Sequence, residues 1–330
     1  MKLSWPVEFI GTGVGVPEQV VTNDELARRL DTNDNWIVTR TGVRERRMAG
    51  PGESTLTLAT RASREALEEA GLSPDQIDLI LCATITPDHP LPSTACELQA
   101  ALGSPRAAAL DLVAACSGFV FGVITASQYV CSGMSQHALV VGADCMSRMA
   151  DWEDRASCIL FGDAAGAGIL RRSTNPDRGI LAARMQSDGS RAELIWVPAG
   201  GAKEPATLRT VNERLHFMRM KGREVYKFAV TQMQDLIVQT LDDAGVKMSD
   251  IDMLVPHQSN LRIIESACEK MGVPDSKVVV NIQKYGNTSA ASVPLAFHEA
   301  RRQGRVRPGH LVLMVAFGAG LTWGSILIRM

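Results

Sequence analysis

The chain has 330 residues, 45% of them hydrophobic and 21% charged, with a net charge of −2. This is the composition of a globular protein with room for one large domain or two ordinary ones, and it excludes the overall basic field that nucleic acid attracts. Seven scattered cysteines without a C-x-x-C pair exclude a disulfide framework, and the absence of H-E-x-x-H predicts no metal site. The first eight residues lack the apolar core of a signal peptide, and no apolar run approaches the length of a membrane span. The expectation is a soluble, cytoplasmic protein with reduced thiols and neither nucleic acid nor membrane as a partner.

In chain order, Val7-Glu8-Phe9-Ile10 predicts a short strand closed by a turn at Gly11-Thr12-Gly13. Pro17 stands before any helix, so this glycine pair is a turn and not a dinucleotide fingerprint. Asn23 is placed to cap a helix that starts at Asp24-Glu25-Leu26. The Arg-rich stretch 31–47 contains Trp36. Residues 54–70 predict a helix stopped by Gly71, and residues 77–84 a buried strand. The run Asp111-Leu112-Val113-Ala114-Ala115 then ends at Cys116, followed by the small pair Ser117-Gly118 and a largely apolar helix over 119–130. Backbone N–H groups at a helix start stabilise negative charge. A thiol at such a strand-to-helix junction is therefore expected to ionise more easily and to serve as a nucleophile. The other cysteines read as small buried residues.

An internal repeat organises the chain. Leu67-Glu68-Glu69-Ala70-Gly71-Leu72, continuing to Ile77-Asp78-Leu79-Ile80-Leu81, matches Leu241-Asp242-Asp243-Ala244-Gly245-Val246, continuing to Ile251-Asp252-Met253-Leu254-Val255, at an offset of 174 (67 to 241, 77 to 251). The same offset carries Cys116 to position 290, inside Gly286-Asn287-Thr288-Ser289-Ala290-Ala291-Ser292-Val293, again a small-residue turn before an apolar helix. His137-Ala138-Leu139-Val140-Val141-Gly142 resembles His310-Leu311-Val312-Leu313-Met314-Val315 at an offset of 173 (137 to 310). Three landmarks in one order predict a duplicated α/β plan, with halves at 1–175 and 176–330 and mostly parallel sheets covered on both faces. A site is expected where the halves meet.

The second half supplies partners for Cys116. His257 follows the buried strand in Leu254-Val255-Pro256, and Asn287 lies in the turn after Tyr285-Gly286. Equivalent strand ends would bring all three to the pseudo-twofold axis. A Cys/His/Asn set can be a hydrolytic triad, with His as base and Asn as its orienter. It can equally place two hydrogen-bond donors on one developing oxyanion, such as an enolate formed by loss of CO2. Spacing leaves both open. Small residues in Phe317-Gly318-Ala319-Gly320-Leu321-Thr322-Trp323-Gly324 would let a backbone N–H approach a ligand.

Five segments together resemble the type III β-ketoacyl-acyl carrier protein synthases, condensing enzymes of the thiolase fold. They are Trp36-Ile37-Val38-Thr39-Arg40-Thr41-Gly42, Ala114-Ala115-Cys116-Ser117-Gly118-Phe119, Pro256-His257-Gln258-Ser259-Asn260-Leu261-Arg262, Gly286 through Pro294, and Phe317 through Gly324. The resemblance implies an α/β, thiolase-like duplicated fold whose two pseudo-twofold related halves form a layered αβαβα core. It further implies that Cys116 takes an acyl group from a short acyl-CoA and that malonyl-acyl carrier protein follows. His257 and Asn287 would then stabilise the enolate as CO2 leaves. The backbone amides of Cys116 and Ala319 would hold the tetrahedral oxyanion. Trp36, Arg40 and Arg155 would bind CoA, and Lys227 and Arg262 would dock the carrier protein. No cofactor or metal is implied, since acyl-CoA is a substrate, and the assembly would be a homodimer. Two positions depart from the family pattern: Ala319 stands where Gly is common, and Glu269 where some members have a basic residue. Leu91 replaces an aromatic residue that floors the primer pocket across the dimer in some members, which suits a longer or branched acyl chain. The rival readings are a related condensing enzyme or acyltransferase of specialised metabolism, a thiol hydrolase, and an inactive partner subunit.

Overall fold

A computed structural model describes residues 6–330. In the first half the elements run β1 (Val7–Gly15), β2 (Val20–Thr22), α1 (Asn23–Ala27), α2 (Asp34–Thr41), β3 (Glu45–Arg47) and α3 (Thr55–Ala70). They continue with β4 (Leu79–Ala83), α4 (Thr94–Leu102), β5 (Ala108–Leu112), α5 (Gly118–Ser132), β6 (His137–Cys145), α6 (Arg155–Cys158) and β7 (Asp163–Arg172). The second half has β8 (Gly179–Ser187), β9 (Ile195–Trp196), α7 (Leu208–Asn212), β10 (Arg219–Met220), α8 (Gly222–Ala244) and β11 (Met253–Pro256). It closes with α9 (Leu261–Met271), α10 (Ile282–Tyr285), α11 (Ser292–Arg302), β12 (Leu311–Gly318) and β13 (Thr322–Arg329).

Two sheets, ordered β1-β7-β6-β4-β5 and β11-β12-β13-β8, divide the strands between the halves, and they are mixed rather than mostly parallel as expected, because β1–β7, β7–β6, β12–β13 and β13–β8 pair antiparallel. The second sheet mirrors the first four strands of the other. Its fifth place is marked by a single parallel bridge between Leu254 and Val278. Helices α5 and α11 fill the space between the sheets, where Phe119, Val120, Val293 and Phe297 pack with strand residues from both. Phe9 stacks on Phe119 with centroids 6.3 Å apart and tilts against Phe297 at 5.4 Å. Helices α3 and α4 cover the outer face of the first sheet, and α8 and α9 that of the second. The layering is therefore αβαβα. Apolar residues on both faces of every central strand have somewhere to go, which is why the strands read as continuous apolar runs.

The duplication reaches the backbone. The turn helices at 115–117 and 289–291, and helices α5 and α11, start 174 residues apart (115 and 289, 118 and 292). Gly71 and Gly245 both end their helices in the left-handed conformation, at φ 66° and 68°. The third landmark shifts by one residue from the sequence alignment. Strands β6 and β12 start at His137 and Leu311, and Asp78 N–H and Asp252 N–H donate to the carbonyls of those same residues. The histidines at 137 and 310 are thus alike in type but not equivalent in place; hydrogen-bond register, not side-chain identity, sets the offset at 174.

Three other expectations change. The strand that begins at Val7 does not stop at Gly11 but runs to Gly15, with a register shift between Phe9 and Gly11. The glycines Gly11, Gly13 and Gly15 let α3 lie directly on the strand, since a Cβ on any of them would come within 2.2 Å of an α3 carbonyl oxygen. Thr22, not Asn23, caps α1, in a reciprocal box with Glu25. The stretch Ala115–Ser132 is long and apolar enough by composition to cross a membrane, contrary to the sequence reading. Here it is the mostly buried middle-layer helix between two sheets.

Candidate active site

The halves differ most in what joins their equivalent strands. Residues 146–162, with α6, connect β6 to β7, whereas only 319–321 connect β12 to β13. The long first-half connection and the 188–220 segment wall a cleft of about 490 Å³ at the strand ends. Cys116, His257 and Asn287 all line it, together with Trp36, Arg40 and Ala319.

Cys116 sits in the short turn helix before α5, where Ala115 takes φ +47°. The sequence reading expects an acidified thiol, but enclosure in the cleft wins over the helix N-terminus. Burial pushes the thiol up to about 12. A thiolate loses its water here, and the carboxylate of Asp144 adds to the penalty. Cys116 is consequently a neutral thiol at rest.

His257 follows β11 and is anchored by its N–H to the Val315 carbonyl at 2.8 Å. Its ring lies edge-on to Phe317 with centroids 5.5 Å apart. Nδ1 is 2.5 Å from Ser292 Oγ, the first residue of α11, and that oxygen also accepts the Gln258 N–H at 3.4 Å. That oxygen keeps its own hydrogen for Nδ1, and in the tautomer that receives it the ring proton sits on Nε2, facing away from Ser292. Burial holds the imidazole far down, at about 3, so it is neutral throughout the physiological range.

The folded pKa of His257 lies below the ordinary value, so the unfolded chain binds a proton at this position that the folded chain refuses. Stability should therefore fall as pH drops from about 6.5 towards about 3. Acid unfolding followed by circular dichroism should show a shallower acid limb for His257→Asn than for the wild type. Parallel limbs would contradict the neutral buried imidazole.

Asn287 is clamped through its backbone. Its N–H donates to the Leu160 carbonyl at 2.8 Å and its carbonyl accepts from Gly162 N–H at 3.1 Å. Gly286, at φ +65°, allows this approach, because a Cβ there would lie 2.7 Å from the Leu160 oxygen. The side-chain Oδ1 accepts Ser289 N–H at 2.9 Å. Only an oxygen can face that donor, so Nδ2 is the end left for the cleft.

Residues 110–189 match the family model of 3-oxoacyl-[acyl-carrier-protein] synthase III, and residues 241–330 match the model of its C-terminal part. A β-ketoacyl-[acyl-carrier-protein] synthase III from Symbiobacterium thermophilum is 51% identical over 98% of both chains. The chain belongs to the β-ketoacyl-acyl carrier protein synthase III family. The crystal structure of the 3-oxoacyl-[acyl-carrier-protein] synthase III from Aquifex aeolicus is similar throughout, with a TM-score of 0.92 and 46% identity, covering 98% of this chain and 100% of that one. A priming β-ketosynthase from the R1128 polyketide pathway is also similar, with a TM-score of 0.90 and 34% identity over 100% of this chain and 98% of that one. As a family member the protein is a condensing acyltransferase of fatty acid biosynthesis with the thiolase fold.

The other positions expected of a type III synthase fall in three places. Arg40 and Arg155 both lie over the Trp36 ring, 4.2 and 5.2 Å from its centroid. Trp36 and Arg40 line the cleft, whereas Arg155 pairs with Asp31 Oδ2 at 2.8 Å and is represented in the cleft wall only by its neighbour Ala156. Arg262 lines the same cleft, with its guanidinium 6.0 Å from the Tyr226 ring centroid. Lys227 does not. It lines a separate depression of about 840 Å³ between residues 189–194 and α8, which contains none of Cys116, His257 and Asn287. Leu91 is 86% exposed and is not among the residues lining the cleft of its own chain. Ala319 is not among the positive-φ residues of the described chain, so alanine in place of glycine carries no backbone strain there.

Several residues to which the sequence assigned no role hold the site. Gln258 Oε1 accepts from Asn281 and Ile282 N–H groups, while its Nε2 donates to the Pro256 and Val279 carbonyls. Asn260 caps α9 and donates from Nδ2 to the Arg40 carbonyl, tying α2 to the second half. The fully buried Arg46 donates to the carbonyls of Val21 and Ile159, next to the residue that receives the Asn287 amide. Among the described residues, no three His, Cys, Asp or Glu side chains gather as a metal set.

Proposed function

We propose that the protein condenses a short acyl-CoA with malonyl-acyl carrier protein by decarboxylative Claisen chemistry, initiating a fatty acid chain. Cys116 Sγ attacks the acyl-CoA carbonyl, and the amides of Cys116 and Ala319 hold the oxyanion. As the bond to CoA sulfur breaks, the thiol proton ends on CoA and the acyl group stays on Cys116. Malonyl-carrier protein then loses CO2, leaving its electron pair delocalised onto the thioester oxygen as an enolate. His257 Nε2–H and Asn287 Nδ2–H donate to that oxygen. The enolate carbon attacks the acyl-cysteine, and Cys116 leaves as a thiolate that regains a proton from solvent. No cofactor or metal takes part.

One observation carries this reading over the hydrolytic triad: Asn287 Oδ1 is taken by Ser289 N–H and His257 Nδ1 by Ser292. Both side chains are thereby left as donors towards the cleft. A triad needs Asn287 Oδ1 on the imidazole, whereas Oδ1 takes the Ser289 N–H and the imidazole Nδ1 is held by Ser292 Oγ instead.

The Trp36 face with Arg40 and Arg155 suits an adenine nucleotide, and Arg262 and Lys227 suit an acidic carrier protein. Strand β5 is a sheet edge with Leu110 exposed on it and Val113 exposed just past its end. Pairing of two copies along it, with Leu91 reaching towards the partner's cleft, would bury this apolar edge in a homodimer. Seven free cysteines fit work in the reducing cytoplasm.

A primer screen tests the reading. Labelled malonyl-carrier protein and acyl-CoAs of increasing length should release CO2 and give 3-ketoacyl-carrier products, with longer or branched primers accepted because of Leu91. Product from acetyl-CoA alone would refute the role given to Leu91. Thioester cleavage without CO2 release or a new carbon–carbon bond would refute the condensation.

A further inference from the structure

Asp144 is the penultimate residue of β6 in the first half, is fully buried, and does not line the catalytic cleft. Its Oδ1 accepts from Ile85 N–H at 2.8 Å and from the hydroxyls of Thr84 and Thr86 at 3.1 Å each. Its Oδ2 crosses to the other half and accepts Ala290 N–H at 3.1 Å. The repeat gives this contact its meaning. Ala290 is the partner of Cys116 and Gly318 the partner of Asp144, both 174 residues apart (116 and 290, 144 and 318) and at matching points of paired elements. In one half, a turn amide faces a glycine whose missing side chain leaves space for an oxyanion. In the other, the equivalent amide is filled by a carboxylate.

We infer that Asp144 is a positioning residue for Asn287: it plugs the second half's counterpart of the oxyanion-binding amide and so fixes the turn that orients the Asn287 carboxamide. Ser289, the neighbour of Ala290, takes φ +50°, a left-handed conformation that a non-glycine residue keeps only when its surroundings hold it. Its N–H is the donor that occupies Asn287 Oδ1. If the turn relaxes, that donor moves and Nδ2 no longer has a fixed direction. This role rests on Asn287 donating to the enolate, as proposed above.

Asp144→Asn isolates the contact. An asparagine keeps the shape of the side chain and, with its oxygen on the Thr84–Thr86 side, keeps three of the four hydrogen bonds. Its amide nitrogen then faces Ala290 N–H, donor against donor. CO2 release from malonyl-carrier protein should fall roughly 10- to 100-fold in kcat, with KM unchanged. Acylation of Cys116 by acyl-CoA, followed by intact mass, should fall by no more than about threefold, because removing the Asp144 charge eases ionisation of the Cys116 thiol. The double variant Asp144→Asn/Asn287→Ala should be no slower than Asn287→Ala alone, because both act through one group.

Wild-type CO2 release in Asp144→Asn, equal losses of acylation and decarboxylation, or additive losses in the double variant would overturn the inference. Asn287→Ala alone separates this from the function. If it decarboxylates normally, the proposed role of Asn287 fails. If it is impaired while Asp144→Asn is not, only the role of Asp144 fails.

Discussion

Cys116→Ala should abolish acyl-enzyme formation and lower condensation by roughly 10⁴-fold or more, while CO2 release from malonyl-carrier protein persists in part. The split follows from how the cleft separates its two jobs. The nucleophile belongs to the first half's turn, whereas the enolate donors belong to the second half and are oriented by Ser289 and Ser292, not by the thiol. The resting thiol is neutral, since burial pushes it up to about 12. Replacing it with a methyl group therefore removes no charge beside the enolate site. Intact mass after incubation with acyl-CoA measures the first half-reaction, and labelled CO2 the second. A covalent acyl adduct at the active site of the alanine variant would show that another residue is the nucleophile.

For Gly318→Ala, acyl transfer to Cys116 should fall by roughly 10²- to 10³-fold. A Cβ at this position would lie 2.7 Å from Cys116 N and 3.2 Å from Ser117 N. Those are backbone atoms of the turn that carries the nucleophile, so no flexible side chain can move aside. Either the methyl group fills the space before the Cys116 amide, or the turn shifts and takes the amide with it. Both outcomes remove an oxyanion donor, and overpacking costs about 1–3 kcal/mol of stability besides. Decarboxylation, which draws on His257 and Asn287, should fall less. Ala319→Gly is the control: it keeps the N–H, and Ala319 needs no positive φ, so its acylation rate should stay within about threefold of wild type. Single-turnover acylation measures both variants. Wild-type acylation in Gly318→Ala would remove the Cys116 amide from the oxyanion site.

The duplicated plan was legible because the central strands β4 and β11 are buried along their whole length and helices α3 and α8 both stop at a glycine. Hydrophobic runs and the Gly71/Gly245 stops therefore carry the repeat in one dimension. Cys116, His257 and Asn287 were legible for the same reason, as residues at equivalent strand ends. The glycines of β1 misread as a turn, because their reason is α3 pressed on the strand, a contact made by residues some fifty positions away in the chain.

The amino-acid order by itself thus determined the duplicated plan and three residues at equivalent strand ends that line one cleft, since periodicity and spacing are local and the repeat fixes which ends are equivalent. Only the tertiary structure decided what state those residues are in. The Cys116 thiol is raised rather than lowered because desolvation depends on what closes over it, not on its neighbours in sequence. Asn287 turns Nδ2 to the cleft because Ser289 N–H takes its Oδ1, and Ser292 Oγ holds His257 by Nδ1. Gly318 and Asp144, unremarkable as letters, acquire opposite roles when the fold sets each before the same turn amide in opposite halves. Protonation and donor direction are properties of three-dimensional neighbours, and the chain meets those neighbours only once it is folded.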